Sequence, residues 1–138
     1  MLMPERVKYR KMHRGNRAGI ASSGSTVAFG EYGLQSLERC WLDTREIEAA
    51  RVAINHFMKR RGKVWIRVFP QKSYTKKPLE TRMGKGKGPL ESWVAVVRPA
   101  TVLFELEGVP DAMARECLRL AANKLSVRTK FISRHKLG

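Results

Sequence analysis

The residues whose types and spacing best fit a chemical task are the alternating glycines and lysines of Gly84-Lys85-Gly86-Lys87-Gly88. Glycine lets a backbone approach a partner closely, and lysine supplies cations for phosphate oxygens. The run is not a P-loop, because Gly88 is followed by Pro89 rather than by lysine and a hydroxyl residue. It also fails the dinucleotide fingerprint, since Pro89 occupies the position of the third glycine. The pattern predicts contact with a nucleic-acid backbone.

Groups suited to catalysis or to metal binding are scattered along the chain. The cysteines are Cys40 and Cys117, and the histidines are His13, His56 and His135. None has the clustered spacing of zinc ligands, and no group of carboxylates and histidines suits acid–base work. Cys117 lies among apolar residues at helical spacing, so we expect it to pack in a core. The sequence predicts no metal, no cofactor, no small-molecule substrate and no enzyme.

The net charge is +16, from 28 lysines and arginines against 12 acidic residues, and it is concentrated in three segments. Residues 1–19, 59–88 and 124–138 carry +5, +10 and +5, whereas residues 20–58 and 89–123 each carry −2. An excess this large repels itself in a folded chain unless a polyanion neutralises it. The distribution favours nucleic acid as the partner, with an anionic membrane or an acidic protein as the alternatives.

Length and hydropathy bound the organisation of the chain. With 138 residues, 43% of them apolar, the sequence predicts one domain over residues 1–138, with a basic arm at 1–19 and a basic loop at 70–89. No apolar run approaches the roughly 20 residues of a membrane span, so no membrane helix is expected. Because nucleic acid is the favoured partner, we expect no membrane partner. The first residues lack the apolar region of a secretory signal, and we expect them to belong to the mature chain.

Two helices are predicted from capping and from apolar spacing. Asp43 and Glu46 form a capping-box pattern, and apolar residues then recur every three or four positions until Gly62. Pro110 opens a second run of this kind, which continues to Leu125. Each stripe is typical of a helix that packs on a core.

Strands are predicted for the remaining near-neutral sequence. The signal is strongest at residues 63–69, 93–97 and 101–106, and Arg98-Pro99-Ala100 between the last two suits a hairpin. Weaker signals cover residues 26–31, 34–42 and 127–132. We expect an α+β fold, a two-layer sandwich in which a mostly antiparallel sheet packs against two helices.

The loop and the two ends are the candidate contact segments. Pro70 to Pro89 is predicted to be a structureless stretch of twenty residues, a length typical of functional or disordered loops. In the arm, Tyr9 and His13 offer rings that can stack on unpaired bases, although Tyr9 could equally anchor the arm on the domain. Residues 128–136 alternate basic and apolar types, as in a last strand with one side facing RNA.

Seven separated blocks carry a resemblance to a known family over essentially the whole chain. In order they are Pro4–Lys11, Phe29–Leu34, Glu46–Arg51, Gly62–Pro70, Thr81–Gly88, Trp93–Val96 and Gly108-Val109. With these blocks the sequence resembles the bacterial-type large-subunit ribosomal protein L-sixteen family, and Thr81–Gly88 is the most specific of them. A free-standing RNA chaperone would share the charge but not the ordered blocks. A DNA-compacting protein should show a dimerisation face or an intercalating wedge, and we locate neither.

The resemblance implies a ribonucleoprotein role in translation. It implies an α+β domain bound to large-subunit (23S-type) rRNA close to the A and P sites. It also implies neighbouring large-subunit proteins and a loop, Arg82–Gly88, that points toward tRNA near the peptidyl transferase centre. The family is not catalytic; it shapes the RNA that is and helps late subunit assembly. The implied location is the cytoplasmic ribosome of a bacterium, or the ribosome of an organelle.

Charge and resemblance together define two sets of site residues. The predicted tRNA-facing set is Arg82, Met83, Gly84, Lys85 and Gly86. The predicted rRNA-binding set is basic throughout and comprises Arg6, Lys8, Arg10, Lys11, His13, Arg14, Arg17, Lys59, Arg60, Arg61, Lys63, Lys72, Lys76, Lys77, Lys85, Lys87, Arg128, Lys130, Arg134 and Lys136.

The chain departs from the family pattern at four positions. Glu5, Gln71, Ser73 and Ala100 stand where the family usually has Lys, Asp, Pro and Gly. Glu5 removes one expected contact between the arm and a phosphate, and Ala100 is expected to alter the predicted hairpin turn.

Overall fold

The structure is a computed structural model that describes residues 3–4, 24–59, 61–75 and 90–134. The predicted basic arm beyond Pro4 and the predicted loop between Thr75 and Leu90 lie outside these ranges. In chain order the described elements are β1 (Tyr32–Ser36), β2 (Cys40–Asp43), α1 (Thr44–Met58), β3 (Lys63–Ile66), β4 (Lys72–Thr75), β5 (Leu90–Val97), β6 (Val102–Glu107), α2 (Asp111–Ala122) and β7 (Thr129–Ser133). No helix in the described ranges is long and apolar enough to cross a membrane.

Helix α1 begins at the predicted capping box. The Asp43 carboxylate accepts a hydrogen bond from the Arg45 backbone N–H at 3.1 Å, and Glu46 accepts one from the Asp43 N–H at 3.0 Å. The helix ends where Lys59 enters the left-handed region at φ 49°. Gly62 follows with φ 73°, and a Cβ there would lie 2.2 Å from the Glu107 carbonyl oxygen. The glycine therefore permits the close return of the chain into β3.

Helix α2 begins after Pro110, as predicted, and packs against α1. Leu125, the last residue of the predicted apolar run, lies beyond the helix but still packs on the core. Cys117 is fully buried between the helices, and its thiol donates to the Ile54 carbonyl oxygen at 3.8 Å. Burial raises the pKa of this thiol to about 11. The prediction that Cys117 packs in the core is confirmed.

The strands form two antiparallel sheets, so the predicted α+β fold class is confirmed. Sheet A has the order β3-β6-β1-β7, and sheet B has the order β2-β5-β4. The predicted hairpin between residues 93–97 and 101–106 is wrong, because β5 lies in sheet B whereas β6 lies in sheet A. Ala100 takes φ 78° in the connection, and its N–H donates to the Ser36 carbonyl oxygen at 2.8 Å. The short connection therefore carries the chain from one sheet to the other.

Three further strand predictions need correction. Residues 34–42 are divided between β1 and β2 by a bend at Leu37. Residues 72–75, predicted to be loop, form β4 and pair with β5. Residues 26–31 are not a strand, because the N–H groups of Ala28, Phe29 and Gly30 bond to the Glu105 side chain; Glu31 donates to the backbone of β6, at the Leu106 carbonyl oxygen.

Sheet A presents two faces of different character. On the first, which we call the helix face, Leu34, Phe104 and Leu106 are buried and pack in one core with both helices. The opposite face is covered by residues 24–30, which we call the strap, and we name it the strap face. Val27 of the strap lies over Gly33 of β1. Because side chains alternate along a strand, each strand of sheet A contributes to both faces.

Candidate nucleic-acid interface

The strap is fixed by one buried carboxylate. Glu105, in the middle of β6, is 0% exposed and points to the strap face. Its Oε1 accepts hydrogen bonds from three consecutive backbone N–H groups, those of Ala28, Phe29 and Gly30, at 3.0, 2.8 and 2.9 Å. A Cβ on Gly30 would lie 2.5 Å from the Leu106 carbonyl oxygen, so the strap runs very close to β6. This segment joins the predicted basic arm to the domain.

Arg67 completes the anchor. Its guanidinium forms an ion pair with Glu105 Oε2 and donates to the Thr26 carbonyl oxygen of the strap at 3.4 Å. Burial by itself would raise the pKa of Glu105, but hydrogen bonds from Gly30, Arg67 and Phe29 outweigh it and hold that pKa below its ordinary value. The carboxylate is therefore ionised and fully bonded at neutral pH.

An aromatic pair stands beside this anchor. The rings of Phe29 and Trp65 are stacked, with centroids 6.2 Å apart and planes inclined by 22°. The Arg67 guanidinium lies over the Phe29 ring, 5.0 Å from its centroid. Phe29 is nevertheless 56% exposed. The strap face thus presents an ordered aromatic ring to solvent.

Three predicted rRNA-binding cations share the strap face. Lys63 is the first residue of β3 and precedes Val64, which packs on the core, and Lys130 lies beside Phe131, whose ring packs on the helix face. Arg134 follows β7, and its guanidinium donates to the Ala28 carbonyl oxygen of the strap. All three are exposed. They occupy the two edges of sheet A, since β3 and β7 are its outer strands.

Other predicted cations lie elsewhere in the described part of the chain. Lys59 and Arg61 are exposed in the turn between α1 and β3. This turn adjoins a cleft of about 200 Å³ lined by Arg51, Asn55, Met58, Gly62, Val64 and Ile66. Lys72 belongs to sheet B, with its ammonium 5.6 Å from the centroid of the Trp41 ring. Arg128 lies 3.7 Å from Glu38 across an exposed ion pair.

The remaining predicted site residues lie outside the described ranges. They are Arg6, Lys8, Arg10, Lys11, His13, Arg14, Arg17, Arg60, Lys76, Lys77, Arg82, Met83, Gly84, Lys85, Gly86, Lys87 and Lys136.

The helices carry a different charge pattern from the strap face. Each contains two basic and two acidic residues, so each is neutral overall. Arg51 pairs with Glu48 at 2.9 Å in α1, and in α2 Arg115 and Arg119 pair with Asp111 and Glu116 at 2.7 and 2.6 Å. Alternating signs on a helix are typical of a solvated surface.

Four residues of this site were not among the predicted site residues, namely Phe29, Trp65, Arg67 and Glu105. A sequence signal existed for Trp65, Arg67 and Glu105, but not for Phe29. Lys63, Trp65 and Arg67 are polar or aromatic residues at every second position of a strand, which is typical of an outward face. Glu105 is an acid between two apolar residues, Phe104 and Leu106, which indicates a buried and paired carboxylate. Within the described ranges, no group of three or more His, Cys, Asp or Glu residues could hold a metal.

Comparison of the sequence with known proteins places this chain in a family. Residues 4–132 match the sequence model of a family described as ribosomal protein L16p/L10e. A protein of Akkermansia muciniphila named large ribosomal subunit protein uL16 is 62% identical over 133 residues, covering 96% of this chain and 95% of its own. Proteins of the same name from Exiguobacterium sibiricum and Macrococcus caseolyticus are 58% and 56% identical over 138 residues, covering all of this chain and 95% and 96% of theirs.

Proposed function

The chain belongs to the ribosomal protein L16p/L10e family, and from this premise we propose that it is a constituent of the large ribosomal subunit that binds 23S-type rRNA. The names of three relatives, each a large ribosomal subunit protein, support the assignment of the chain to that subunit. All three relatives come from bacteria, which supports the cytoplasmic ribosome as the location. Residues 1–138 act as one rRNA-binding domain without catalytic activity.

The observation that carries the rRNA proposal is the separation of charge on the folded domain. Lys63, Lys130 and Arg134 are exposed at the edges of the strap face, whereas the cations of α1 and α2 are balanced by acids on the same helices. The strap itself contains no charged residue, and the buried Glu105 on this face is already neutralised by Arg67. A phosphate backbone that meets this face encounters these three cations and one further carboxylate, that of Glu107, which lies opposite Lys63 in the β3–β6 register, so the cations remain in excess.

The predicted loop supports a second role within the same subunit. Arg82 offers a planar, always charged fork for a phosphate or a base, Met83 an adaptable apolar contact, and Gly84 a close backbone approach. With Lys85 and Gly86, these residues contact tRNA at the A site, and at the P site where the two tRNAs lie close together. The protein also supports late subunit assembly, because its charged segments tie separate rRNA elements together.

Attachment and tRNA contact are separable by mutation. Replacing Arg6, Arg10, Lys11 and Arg14 together by alanine removes four of 28 cations, and we expect lower occupancy in large subunits after a high-salt wash. Arg82→Ala removes one cation, so we expect normal occupancy but weaker A-site tRNA binding. The matched control replaces Arg45, Arg51, Arg115 and Arg119 by alanine, which also removes four cations, but from the neutral helices.

The readouts are the amount of protein that co-sediments with washed subunits and the A-site tRNA affinity at matched occupancy. Equal losses of occupancy in the arm variant and the helix variant would mean that only total charge matters. Wild-type tRNA affinity in Arg82→Ala subunits would overturn the role of the loop and leave rRNA attachment standing.

A further inference from the structure

We propose that the Phe29–Trp65 pair is a stacking platform for unpaired nucleobases of the large-subunit rRNA. The inference rests on the proposed function and names a contact within it. Both rings belong to the strap face, and Phe29 is 56% exposed although its ring is in contact with both Trp65 and the Arg67 guanidinium. An exposed and oriented aromatic ring is the feature that single-stranded nucleic-acid sites share.

Packing in the core explains why one aromatic pair, Tyr32 and Phe131, is stacked, but it does not explain the Phe29–Trp65 pair. Tyr32 and Phe131 stack at 5.6 Å beneath α2, and both pack on the buried core. The Arg115 guanidinium lies 4.4 Å from the Phe131 centroid and closes that stack from outside. Among the described residues that pack on this core, Phe29 and Trp65 are absent; Phe29 belongs to the strap and Trp65 to β3. Burial therefore explains the first pair, and the second is available to a partner.

The surroundings of the platform identify the partner by charge. Val64, Ile66 and Val68 turn toward the core, so Lys63, Trp65 and Arg67 alternate with them and face outward. Phe69, the next residue in this alternation, is 43% exposed. Cations interleaved with aromatic rings suit a chain that has phosphates on one side and bases on the other.

Arg67 acts here as a positioning residue rather than as a phosphate ligand. Its guanidinium is committed to the Glu105 carboxylate and to the Thr26 carbonyl oxygen, and from there it lies against the Phe29 ring. Glu105 in turn binds the Phe29 backbone N–H at 2.8 Å. The anchor therefore fixes both the backbone and the ring of Phe29. Lys63 is left to meet phosphates.

An unpaired RNA segment fits this platform better than a duplex does. In an A-form helix the bases are stacked on each other and their faces are inaccessible, whereas loops and bulges can splay a base onto an aromatic ring. One base on Phe29 and a neighbouring phosphate at Lys63 would use both kinds of group.

The test measures the affinity of the full chain for large-subunit rRNA across a series of potassium chloride concentrations. Phe29→Ala and Phe29→Leu are expected to weaken binding roughly 5- to 150-fold, the range that stacking on one base supplies. The slope of log affinity against log salt should stay unchanged, because no cation is removed. Phe29→Trp should restore binding, since any aromatic face can stack. Val52→Ala is the matched control, because Val52 is also exposed, at 38%, but lies on α1.

Each result has a distinct meaning. Wild-type affinity in both Phe29→Ala and Phe29→Leu would overturn the platform while leaving rRNA binding itself intact. Unchanged rRNA affinity with reduced occupancy in assembled subunits would assign the rings to a neighbouring protein and would also overturn it. If the wild-type chain shows no salt-dependent rRNA binding, the proposed function fails and the platform fails with it. Ultraviolet crosslinks from rRNA to Phe29 or Trp65, and none to Tyr32 or Phe131, would support the platform.

Discussion

The two faces of sheet A contain the same chemical parts in different settings. Each has two stacked aromatic rings with an arginine guanidinium over one of them: Tyr32 and Phe131 with Arg115 on the helix face, and Phe29 and Trp65 with Arg67 on the strap face. On the helix face the guanidinium is exposed and the rings are sheltered. On the strap face the guanidinium is largely buried and Phe29 is exposed.

The comparison shows that burial determines what an aromatic–arginine cluster does. Where the rings are buried, the cluster stabilises the fold, and where a ring is exposed, it can contact a partner. The helix face is stabilised by apolar area removed from water, with the ion pair of Arg115 at its surface adding little. The strap face is stabilised by an ionised carboxylate at its centre, and its aromatic surface remains free for a partner. Variants that separate carboxylate from apolar burial should therefore distinguish the two faces.

The largest expected effect is the loss of the strap anchor. Glu105→Ala leaves Arg67 without its carboxylate and three N–H groups of the strap without an acceptor. Breaking a buried ion pair in this way typically costs about 3–5 kcal/mol of unfolding free energy. Chemical denaturation measures it. Asp111→Ala, which breaks the exposed pair with Arg115, is the control and should cost at most about 1 kcal/mol. Similar losses in both variants would remove the distinction between the faces.

A smaller effect is expected from pH. The helix face should lose stability at alkaline pH, whereas the strap face should lose stability at acid pH. On the helix face, burial raises the pKa of Cys117 from 9.0 to about 11, so the unfolded chain loses this proton first. The contribution of Cys117 to the unfolding free energy is fully present below about pH 9 and should fall by up to about 2–3 kcal/mol as the pH rises through 11.

On the strap face, the pKa of Glu105 lies below its ordinary value of 4.5. Its contribution is present above that value and should be lost as the pH falls through the folded pKa.

Two variants check this assignment. Cys117→Ala should remove the alkaline loss and leave the acid loss, whereas Glu105→Gln should reduce the acid loss and leave the alkaline one. Denaturation midpoints across the pH range give both. If Cys117→Ala still shows the full alkaline loss, another group on the chain is responsible.

The smallest expected change concerns the connection that separates the two sheets. Ala100 holds φ 78°, a conformation that glycine adopts without a Cβ penalty. Relief of about 1–2 kcal/mol of strain, offset by the greater freedom of glycine in the unfolded chain, should stabilise Ala100→Gly by about 0.5–1 kcal/mol. Thermal unfolding measures this gain. Destabilisation by the glycine would show that the turn is not strained.

The helix face was largely predictable from the sequence, and the strap face was not. Capping residues and apolar spacing located α1 and α2, because these signals lie within a few positions of each other. The role of Glu105 depends on Ala28, Phe29 and Gly30, which lie more than seventy residues away in the sequence. A pattern of neighbouring residues cannot reveal a contact between segments so far apart. For the same reason β5 and β6 resembled a hairpin, since the short turn says nothing about the sheet that each strand joins.

The candidate site likewise has a part that the sequence predicted, its cations, and a part that it did not predict, its aromatic residues. Charge counting selected Lys63, Lys130 and Arg134, which the structure places on the strap face, because an excess of cations is visible in composition. It could not find Phe29 and Trp65, whose pairing exists only after the strap has folded over the sheet.

The central claim, that the strap face rather than the helix side meets rRNA, is tested most directly by lysine acylation read by mass spectrometry. Lys63 and Lys130 lie on the strap face, and Lys124 is another exposed lysine, just after the end of α2. The chain is labelled alone and in complex with large-subunit rRNA. We predict that rRNA slows acylation of Lys63 and Lys130 and leaves Lys124 unchanged. Protection of Lys124 while Lys63 and Lys130 stay fully reactive would contradict the account.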